Sequence, residues 1–430
     1  MAGEWTLTTL GEIAQLHEEQ VTPASTPDAV FHHFSIPAFD AGRTPVVEIG
    51  SAIGSNKFVV PRDAVLVSKL NPRIPRVWEP DVPTGARAVA STEFLVLRPS
   101  NLVDRRFLRF LCLGPTIRAE MEARVTGTSG SHQRVRPEDA LAIPVEIPVD
   151  LSEQRAIGHI LGTLDDKIEV NRRMSETLEA MARALFKSWF VDFDPVRAKA
   201  EGRDPGLPQP LADLFPDSFE DSELGKIPRG WEVGTLVDLT ILNPEVWTKE
   251  TRPAEINYVD LSNTKRGRIE AVSTYQAADA PSRAQRVLRR ADTIIGTVRP
   301  GNGSYALIFE DGLTGSTGFA VLRPRTARYA EFVYLAATAA DNIDTLAHLA
   351  DGAAYPAVRP EVVAATPIVR PSNEVFGWFS RVAGALLAKR AQNERESSTL
   401  AALRDALLPK LISGELRAKD AEKFIGRAAL

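Results

Sequence analysis

Two stretches of the chain carry apolar residues at spacings of three and four, the pattern of a helix with one apolar stripe. The first covers residues 152–190 without a proline, and the second runs from about residue 373 to Pro409 or just beyond. At 1.5 Å per residue, about 38 residues make a helix of roughly 57 Å. Ser152, followed by Glu153, is predicted to form the N-cap region of the first helix.

A helix this long with one narrow apolar stripe needs a partner, and the other long helix is the most economical one. Because each helix follows its own globular segment, the two can pair antiparallel. Asn171 and Asn393 fall at equivalent places, and a polar residue in an apolar seam fixes the register of pairing. The predicted seam consists of Ile157, Leu161, Leu164, Ile168, Asn171, Leu178 and Leu185 on the first helix, and of Leu386, Asn393, Leu400 and Leu407 on the second.

The segments that precede the helices have short apolar runs bounded by Gly, Pro, Asp or Asn. Such runs at residues 64–68, 94–97, 293–297 and 319–322 predict strands. Helices are predicted between them, at residues 104–122 and 329–349. This alternation favours a mixed α/β or α+β globule in each segment.

The chain also contains an internal repeat with a period near 225 residues. The pattern WxxxTL at residues 5–10 recurs at 231–236, and STEFLVLRP at 91–99 recurs as STGFAVLRP at 316–324. VRPE at 135–138 recurs at 358–361, and TLEA at 177–180 recurs as TLAA at 399–402. Four matches in the same order, with an offset between 226 and 222 residues, favour duplication of a complete unit.

Charge narrows the range of partners. The sequence has 51 Lys and Arg against 56 Asp and Glu, a net charge of −5, which excludes a globally basic DNA coat protein or a polybasic membrane binder. The acidic excess lies mainly in residues 151–226, whereas 27 of the 31 basic residues in the two globular segments are arginines. Arginine presents a planar fork that pairs with guanine edges or with phosphate.

No catalytic signature is found. The P-loop, HExxH and GxSxG patterns are absent, and the single cysteine, Cys112, excludes an intrachain disulfide and a cysteine-rich zinc site. One cysteine favours a reducing cytoplasm, and no apolar run is long enough for a membrane span. We therefore expect a non-enzymatic cytoplasmic protein without a catalytic residue, metal or cofactor of its own.

Several polar, arginine-bearing loops differ between the two copies, although the strands that flank them are kept. Divergent loops on a duplicated scaffold are typical of two readers for two different ligands, and solvated surface loops are the alternative. The candidate DNA-binding residues are Lys69, Asn71, Arg73, Arg76, Ser131, His132, Gln133 and Arg134 in the first copy, and Lys265, Arg266, Arg268, Arg299, Asn302, Tyr355 and Arg359 in the second.

Three segments resemble the specificity subunits of type I restriction-modification systems. The central one comprises residues 152–157 (SEQRAI), 161–172 (LGTLDDKIEVNR) and 185–193 (LFKSWFVDF). Residues 222–231 (SELGKIPRGW) resemble the opening of the second recognition domain in that family, and residues 407–416 (LLPKLISGEL) resemble its C-terminal end.

The resemblance implies an α+β fold with two duplicated α/β target recognition domains separated by two long antiparallel coiled-coil helices. Each recognition domain would read one half of a bipartite, asymmetric site in double-stranded DNA. The helices would dock two adenine methyltransferase subunits, and restriction/translocase subunits would join them. S-adenosylmethionine, ATP and Mg²⁺ would then belong to those partners. Half-sites near one helical turn apart, about 34–36 Å, are expected.

The predicted division of the chain has six parts. They are residues 1–150 (first recognition domain), 151–193 (first long helix), 194–227 (proline-rich linker), 228–370 (second recognition domain), 371–416 (second long helix) and 417–430 (C-terminal tail). Two alternatives remain open at this point: a specificity subunit of a related system that cuts on both sides of its site, and a coiled-coil adaptor that binds protein and not DNA.

Overall fold

The computed structural model describes residues 4–126, 133–248, 250–352 and 355–421. The chain forms two compact units. Unit 1 contains the residues up to Val170 and those from Glu396 onward, and unit 2 contains Asn171–Arg395. Each unit therefore combines one globular segment with part of both long helices.

Unit 1 is built on a five-stranded sheet in the order β3-β6-β9-β4-β5 and a four-stranded sheet in the order β2-β10-β7-β8. β4 and β9 pair in parallel, and β1 pairs with β11 in a separate antiparallel ribbon. The strands are β1 Trp5–Thr9, β2 Ala14–Leu16, β3 Gln20–Val21, β4 Val30–Phe34, β5 Val46–Ile49, β6 Lys57–Val59, β7 Val65–Ser68, β8 Val77–Trp78, β9 Arg87–Ala90, β10 Phe94–Pro99 and β11 Pro144–Pro148. The helices are α1 Leu10–Ile13, α2 Ile36–Asp40, α3 Arg105–Leu113, α4 Pro115–Ala123, α5 Pro137–Leu141 and α6 Leu151–Phe190.

Unit 2 repeats this plan with the sheets β19-β16-β23-β20 and β15-β24-β21-β22. β16 and β23 form its parallel pair, and β14 pairs with β25 as β1 pairs with β11. The strands are β12 Phe219–Ser222, β13 Gly225–Pro228, β14 Glu232–Thr235, β15 Thr240–Leu242, β16 Glu255–Val259, β17 Thr264–Lys265, β18 Arg268–Ile269, β19 Ser273–Gln276, β20 Ala284–Leu288, β21 Thr293–Gly296, β22 Tyr305–Leu307, β23 Leu313–Ser316, β24 Phe319–Pro324 and β25 Pro367–Arg370. The helices are α7 Asp194–Ala200, α8 Gln209–Ala212, α9 Leu236–Leu239, α10 Ala330–Ala337, α11 Ala340–His348, α12 Pro360–Ala364 and α13 Asn373–Ile412. The predicted α+β class and its internal repeat are confirmed.

β10 and β24 have nearly the same sequence, and the burial of their side chains explains why. Alternate residues of β10 point to opposite faces, so Leu95 and Leu97 join the core against the helices, while Phe94 and Val96 join a second cluster with Trp78. In β24, Ala320 and Leu322 pack toward the helices, and Phe319 and Val321 pack into the other cluster. Burial on both faces leaves neither face free to become polar.

The long helices pack antiparallel within each unit. In unit 1, Asp165 meets Arg404 and Lys167 meets Glu396, so residue numbers rise on one helix as they fall on the other. In unit 2, the rings of Phe190 and Phe379 lie 4.8 Å apart, and Glu179 meets Arg390. The predicted antiparallel pairing of two long helices is confirmed.

Three local predictions differ from the structure in detail. The first long helix begins at Leu151, and its N-cap is Asp150, whose carboxylate accepts a 2.8 Å hydrogen bond from the N–H of Ser152. The helix predicted at residues 104–122 is broken at Gly114, because Pro115 starts a new helix there. The helix predicted at residues 329–349 is likewise interrupted, between Ala337 and Ala340.

The segment at residues 194–227, predicted to be a proline-rich linker, is folded onto unit 2. It carries α7, α8 and the β12–β13 hairpin. Val196, Leu211 and Phe215 are buried in the core, and the Phe215 ring lies 5.3 Å from that of Trp189. Pro195 and Pro210 lie in the first turns of α7 and α8, where a missing backbone N–H removes no helical hydrogen bond.

Cys112 provides a test of the packing of unit 1. It lies in α3 and is buried, and burial raises the pKa of its thiol to about 12. The thiolate is the reactive form, so a thiol reagent at pH 8 should label the native chain at least about 100-fold more slowly than the urea-unfolded chain. Rapid native labelling, followed by absorbance of the released chromophore, would show that α3 does not pack as described.

Candidate nucleic-acid interface

The two candidate loops of unit 1 lie side by side. The loop after β7 meets the segment that precedes α5 through a bridge between Leu70 and Arg134. The N–H of Asn71 donates to the carbonyl of Gln133 at 2.9 Å, and the N–H of Val135 donates to the carbonyl of Lys69 at 3.0 Å. Residues separated by about 60 positions in the sequence therefore form one surface.

Asn71 adopts a φ of +51°, the left-handed region that asparagine tolerates better than most side chains. Its carbonyl accepts a 2.9 Å hydrogen bond from the N–H of Ile74, which closes a tight turn. The turn leaves Arg73 exposed, with one guanidinium nitrogen 3.2 Å from the amide oxygen of Gln133. Arg73 and Gln133 thus present a linked pair of polar groups to solvent.

Two predicted arginines are instead held by carboxylates. Arg134 donates to both oxygens of Glu93, at 2.9 and 2.8 Å, and this hydrogen bonding holds the pKa of Glu93 below its usual value. Arg76 donates to both oxygens of Asp40, at 2.7 and 2.8 Å. These bidentate pairs fix the loops and cancel local charge. Ser131 and His132 lie outside the described residues.

Unit 2 forms the same kind of surface from different residues. Val298 bridges Ala357, and the N–H of Arg299 donates to the carbonyl of Pro356 at 2.7 Å. The Arg299 guanidinium lies 4.9 Å from the centre of the Tyr355 ring, which is 71% exposed, a cation–π contact. An exposed aromatic ring beside an arginine is suited to stacking on a base or sugar.

The third candidate loop of unit 2 contains Lys265, Arg266 and Arg268, and its Arg266 lies beside this surface. The N–H of Arg266 donates to the carbonyl of Gly303 at 2.7 Å, which brings Arg266 next to the exposed Asn302. Lys265 is paired with Glu270 at 2.9 Å. Arg268 faces the long helices, with ion pairs to Glu176 at 3.7 Å and Glu394 at 3.4 Å.

Arg359 lies at the N-cap of α12 and is exposed. Arg136 occupies the same position before α5 and is also exposed. It was not among the predicted binding residues, although the repeated VRPE motif contains it in both copies. The carboxylates of Asp40 and Glu93 were missed as well, because nothing in the local sequence links them to arginines about 40 positions away.

The predicted seam residues are buried to different degrees. Six are buried and five are half-buried; the buried ones are Ile157, Leu161, Leu164, Asn171, Asn393 and Leu407, and the half-buried ones are Ile168, Leu178, Leu185, Leu386 and Leu400. Further buried residues belong to the same surface: Asp165, Ser175, Ala182, Phe186, Ala383, Leu387 and Arg390. The polar members among these were missed because a search for apolar spacing passes over them.

Two of those polar residues form buried clusters. Asp165 accepts hydrogen bonds from Arg109 and Arg404. Burial would raise the pKa of its carboxyl, but the two guanidinium groups outweigh this and hold the pKa below its ordinary value. In unit 2, Arg390 donates to Glu179 at 2.6 Å and to the hydroxyl of Tyr334 at 3.3 Å, and burial raises the pKa of that hydroxyl.

The described part of both surfaces consists mainly of arginine, amide and hydroxyl side chains. Among residues 4–126, 133–248, 250–352 and 355–421, no group of three or more His, Cys, Asp or Glu side chains is arranged to hold a metal ion. Within the same described ranges, no helix is both long and apolar enough to cross a membrane. What the loops offer is arginine, asparagine, glutamine and tyrosine at an exposed surface, which suits recognition.

Comparison with known proteins agrees with this composition. Residues 3–180 match the type I restriction modification DNA specificity domain. The chain is 25% identical over 375 residues to the HindI specificity subunit of Haemophilus influenzae, covering 76% of this chain and 81% of that protein. It is 23% identical over 298 residues to the MjaIX specificity subunit of Methanocaldococcus jannaschii, covering 64% and 62% of the two.

The fold agrees as well. The crystal structure of the S subunit of a type I restriction-modification system from M. genitalium superposes with a TM-score of 0.60 at 16% identity, over 95% of this chain and 96% of that one. The repeated sheets and the two long helices thus have the same fold as that S subunit. Residues 3–180 match a type I restriction modification DNA specificity domain, and the chain is similar to type I specificity subunits over about three quarters of its length.

The lowered pKa of Asp165 gives a pH-dependent test. A depressed folded pKa contributes stability that is present above the unfolded value near 3.8 and is lost as the pH falls through the folded value. Asp165→Ala should lower the free energy of unfolding by about 3–5 kcal/mol at pH 7, and this gap should narrow below pH 4. Urea denaturation from pH 3 to 7 measures it.

The matched control is Asp166→Ala, since Asp166 is the exposed neighbour that pairs with Arg106. Its effect at pH 7 should stay within about 1 kcal/mol. Equal losses for Asp165→Ala and Asp166→Ala would contradict the description of a buried cluster at Asp165.

Proposed function

We propose that each unit reads one half of a bipartite, asymmetric DNA site and that the two long helices dock the other subunits of a restriction-modification complex. The observation that carries this proposal is the repeated scaffold with unlike polar loops at equivalent places. In both units a loop after a central strand bridges the segment before a short helix, through Leu70 and Arg134 in one and Val298 and Ala357 in the other. Unlike side chains on like frames suit two different half-sites.

The side chains at the loop surfaces have the chemistry of base reading. Arginine pairs bidentately with guanine, and asparagine or glutamine pairs with adenine in the major groove. We assign this role first to Arg73 and Gln133 in unit 1 and to Arg266, Arg299 and Asn302 in unit 2. Arg76 and Arg134 act instead by holding the loops in place, because two nitrogens of each guanidinium already donate to the two oxygens of a carboxylate.

The charge distribution supports dependence on partners. Salt-dependent affinity for DNA comes largely from cations that neutralise phosphates, and the net charge of this chain is −5. We therefore infer that the chain alone binds DNA weakly and that two adenine methyltransferase subunits supply much of the phosphate contact. Restriction/translocase subunits complete the cytoplasmic complex, and the cofactors for methylation and cleavage belong to these partners.

A methylation map tests the proposal as a whole. Co-expressed with its methyltransferase in a host without other methylation, the chain should place N6-methyladenine at one motif made of two unlike half-sites. Single-molecule sequencing reads the motif directly. A palindromic motif, or methylation that does not depend on this chain, would show the proposal to be wrong.

Arg73→Ala should relax one base position in one half-site, with a loss of about 1–3 kcal/mol of discrimination there. The matched control is Arg98→Ala. Arg98 is exposed, pairs with Asp63 and lies near the opposite end of the paired strands β7 and β10. We expect the control to leave the motif unchanged in the same sequencing assay. A loss of sequence preference in both half-sites would contradict the assignment of Arg73 to base reading.

The helices are proposed to set the spacing between half-sites. Deleting residues 171–174 and 393–396 together removes one turn, about 6 Å, from each long helix. The spacer between half-sites should then shorten by about 2 base pairs at 3.4 Å per step, while the half-sites stay the same. Unchanged spacing in an active complex would exclude this role for the helices.

A further inference from the structure

Buried ion pairs join α6 to α13 within each unit. In unit 1, Arg404 donates to Asp165 at 2.7 Å, and the Asp165 side chain is 8% exposed. In unit 2, Arg390 donates to Glu179 at 2.6 Å, and the Arg390 side chain is 3% exposed. Both carboxylates lie on α6 and both guanidinium groups lie on α13, so the two helices carry opposite charges into the seam.

The internal repeat shows what each charge replaces. α6 and α13 are both 40 residues long, and the TLEA and TLAA motifs align them residue by residue. In that alignment Asp165 corresponds to Leu387 and Arg404 to Ala182, both of which are fully buried. Likewise Glu179 corresponds to Ala401 and Arg390 to Ile168. Each ion pair in one repeat therefore stands where the other repeat has an apolar pair.

This pattern has a consequence for pairing between chains. If α6 paired antiparallel with α6 of a second copy in the same register, Asp165 would face Ala182 and Glu179 would face Ile168. If α13 paired with itself, Arg404 would face Leu387 and Arg390 would face Ala401. Each of these charges would then lose its partner on the opposite helix and keep only a nearer one, such as Arg109 for Asp165 and Glu394 for Arg390. Loss of one charged partner from a buried cluster is unfavourable, because the desolvation of the remaining charge is no longer fully compensated.

Apolar packing alone does not make this distinction. Ile157 corresponds to Phe379, Leu161 to Ala383 and Leu185 to Leu407, so both stripes present similar apolar surfaces. Apolar groups attract without strong directional preference, and two stripes descended from one ancestor can pair like with like. The apolar side chains differ in size but not in charge, whereas Asp165, Glu179, Arg390 and Arg404 replace apolar residues by charged ones.

We propose that the Asp165–Arg404 and Glu179–Arg390 pairs select α13 as the partner of α6 and reject a second copy of the same helix. The seam thus fits one kind of partner, a helix with buried arginines at these two positions. Replacing a buried ion pair by well-packed apolar residues is often neutral or stabilising, so the pairs are retained here for the choice of partner. This inference does not depend on DNA reading.

A reporter with one cysteine, Met174→Cys in a chain whose own cysteine is removed by Cys112→Ser, tests the proposal in the full chain. Met174 is exposed and lies next to the point at which two antiparallel α6 helices would cross, in the register that sets Asp165 opposite Ala182. Pairing of two α6 helices therefore brings two Met174→Cys thiols close together and favours an interchain disulfide. Chains are unfolded in urea, refolded together under mild oxidation, and scored for disulfide-linked dimer on a non-reducing gel.

The reporter is combined with apolar replacements taken from the other repeat, Asp165→Leu with Arg404→Ala, and Glu179→Ala with Arg390→Ile. The chain with both pairs replaced should form at least about tenfold more linked dimer than the reporter alone, which corresponds to about 1.4 kcal/mol. Its melting temperature shows whether it is folded. The matched control, Lys167→Ala with Glu396→Ala, removes a half-exposed pair on the same helices and should not raise the dimer fraction.

A second set of variants keeps the proposal testable if the apolar variants fail to fold. Asp165→Asn with Arg404→Gln, and Glu179→Gln with Arg390→Gln, remove the charges and keep polar groups. The side chains on α6 keep their size, and those on α13 become shorter. These variants should also raise the dimer fraction, by a smaller factor. Folded variants of either set that cross-link no more than the reporter alone would overturn the proposal, as would an equal increase in the Lys167 and Glu396 control.

Discussion

Burial of one face of each long helix is the constraint on which the other features depend. A 40-residue helix with a single apolar stripe is not stable alone in water, because helix propensity contributes little without tertiary packing. In each unit part of the stripe packs on the globular segment and part on the opposite helix, as Leu161 does beside Phe107 and Leu411 in one core cluster. The sheets therefore have to present an apolar face toward the helices, and the loops are left at other edges.

That constraint explains which parts of the repeat have diverged. β10 and β24 are buried on both faces and keep nearly the same residues, while the loops that follow β7 and β21 share almost none. The long helices are intermediate: their apolar positions are similar, but the charges between them are not. Positions that are buried on both faces thus keep their residues between the two repeats, and positions in the exposed loops differ.

Periodicity and repetition were sufficient to predict the long helices, their antiparallel pairing and the duplicated α+β units. Ends and breaks were harder: Asp150 rather than Ser152 caps α6, because capping is decided by one backbone geometry that several nearby polar residues can supply. The composition of residues 194–227 predicts a linker and does not reveal that Phe215 packs against Trp189. The contacts of the loop arginines were the least predictable feature, because Glu93 and Asp40 come close to Arg134 and Arg76 only in the folded chain.

One position in the repeated strand motif connects the scaffold to the loops. Glu93 in STEFLVLRP is the carboxylate that holds Arg134, whereas the equivalent position in STGFAVLRP is Gly318, where a β-carbon would lie 2.9 Å from a methyl of Leu261. Unit 1 thus anchors its loop through the Glu93–Arg134 salt bridge, whereas in unit 2 the side chain of Leu261 lies against the equivalent position. A lineage could change what such a unit recognises by exchanging loop and anchor together, without disturbing the strand that supports both.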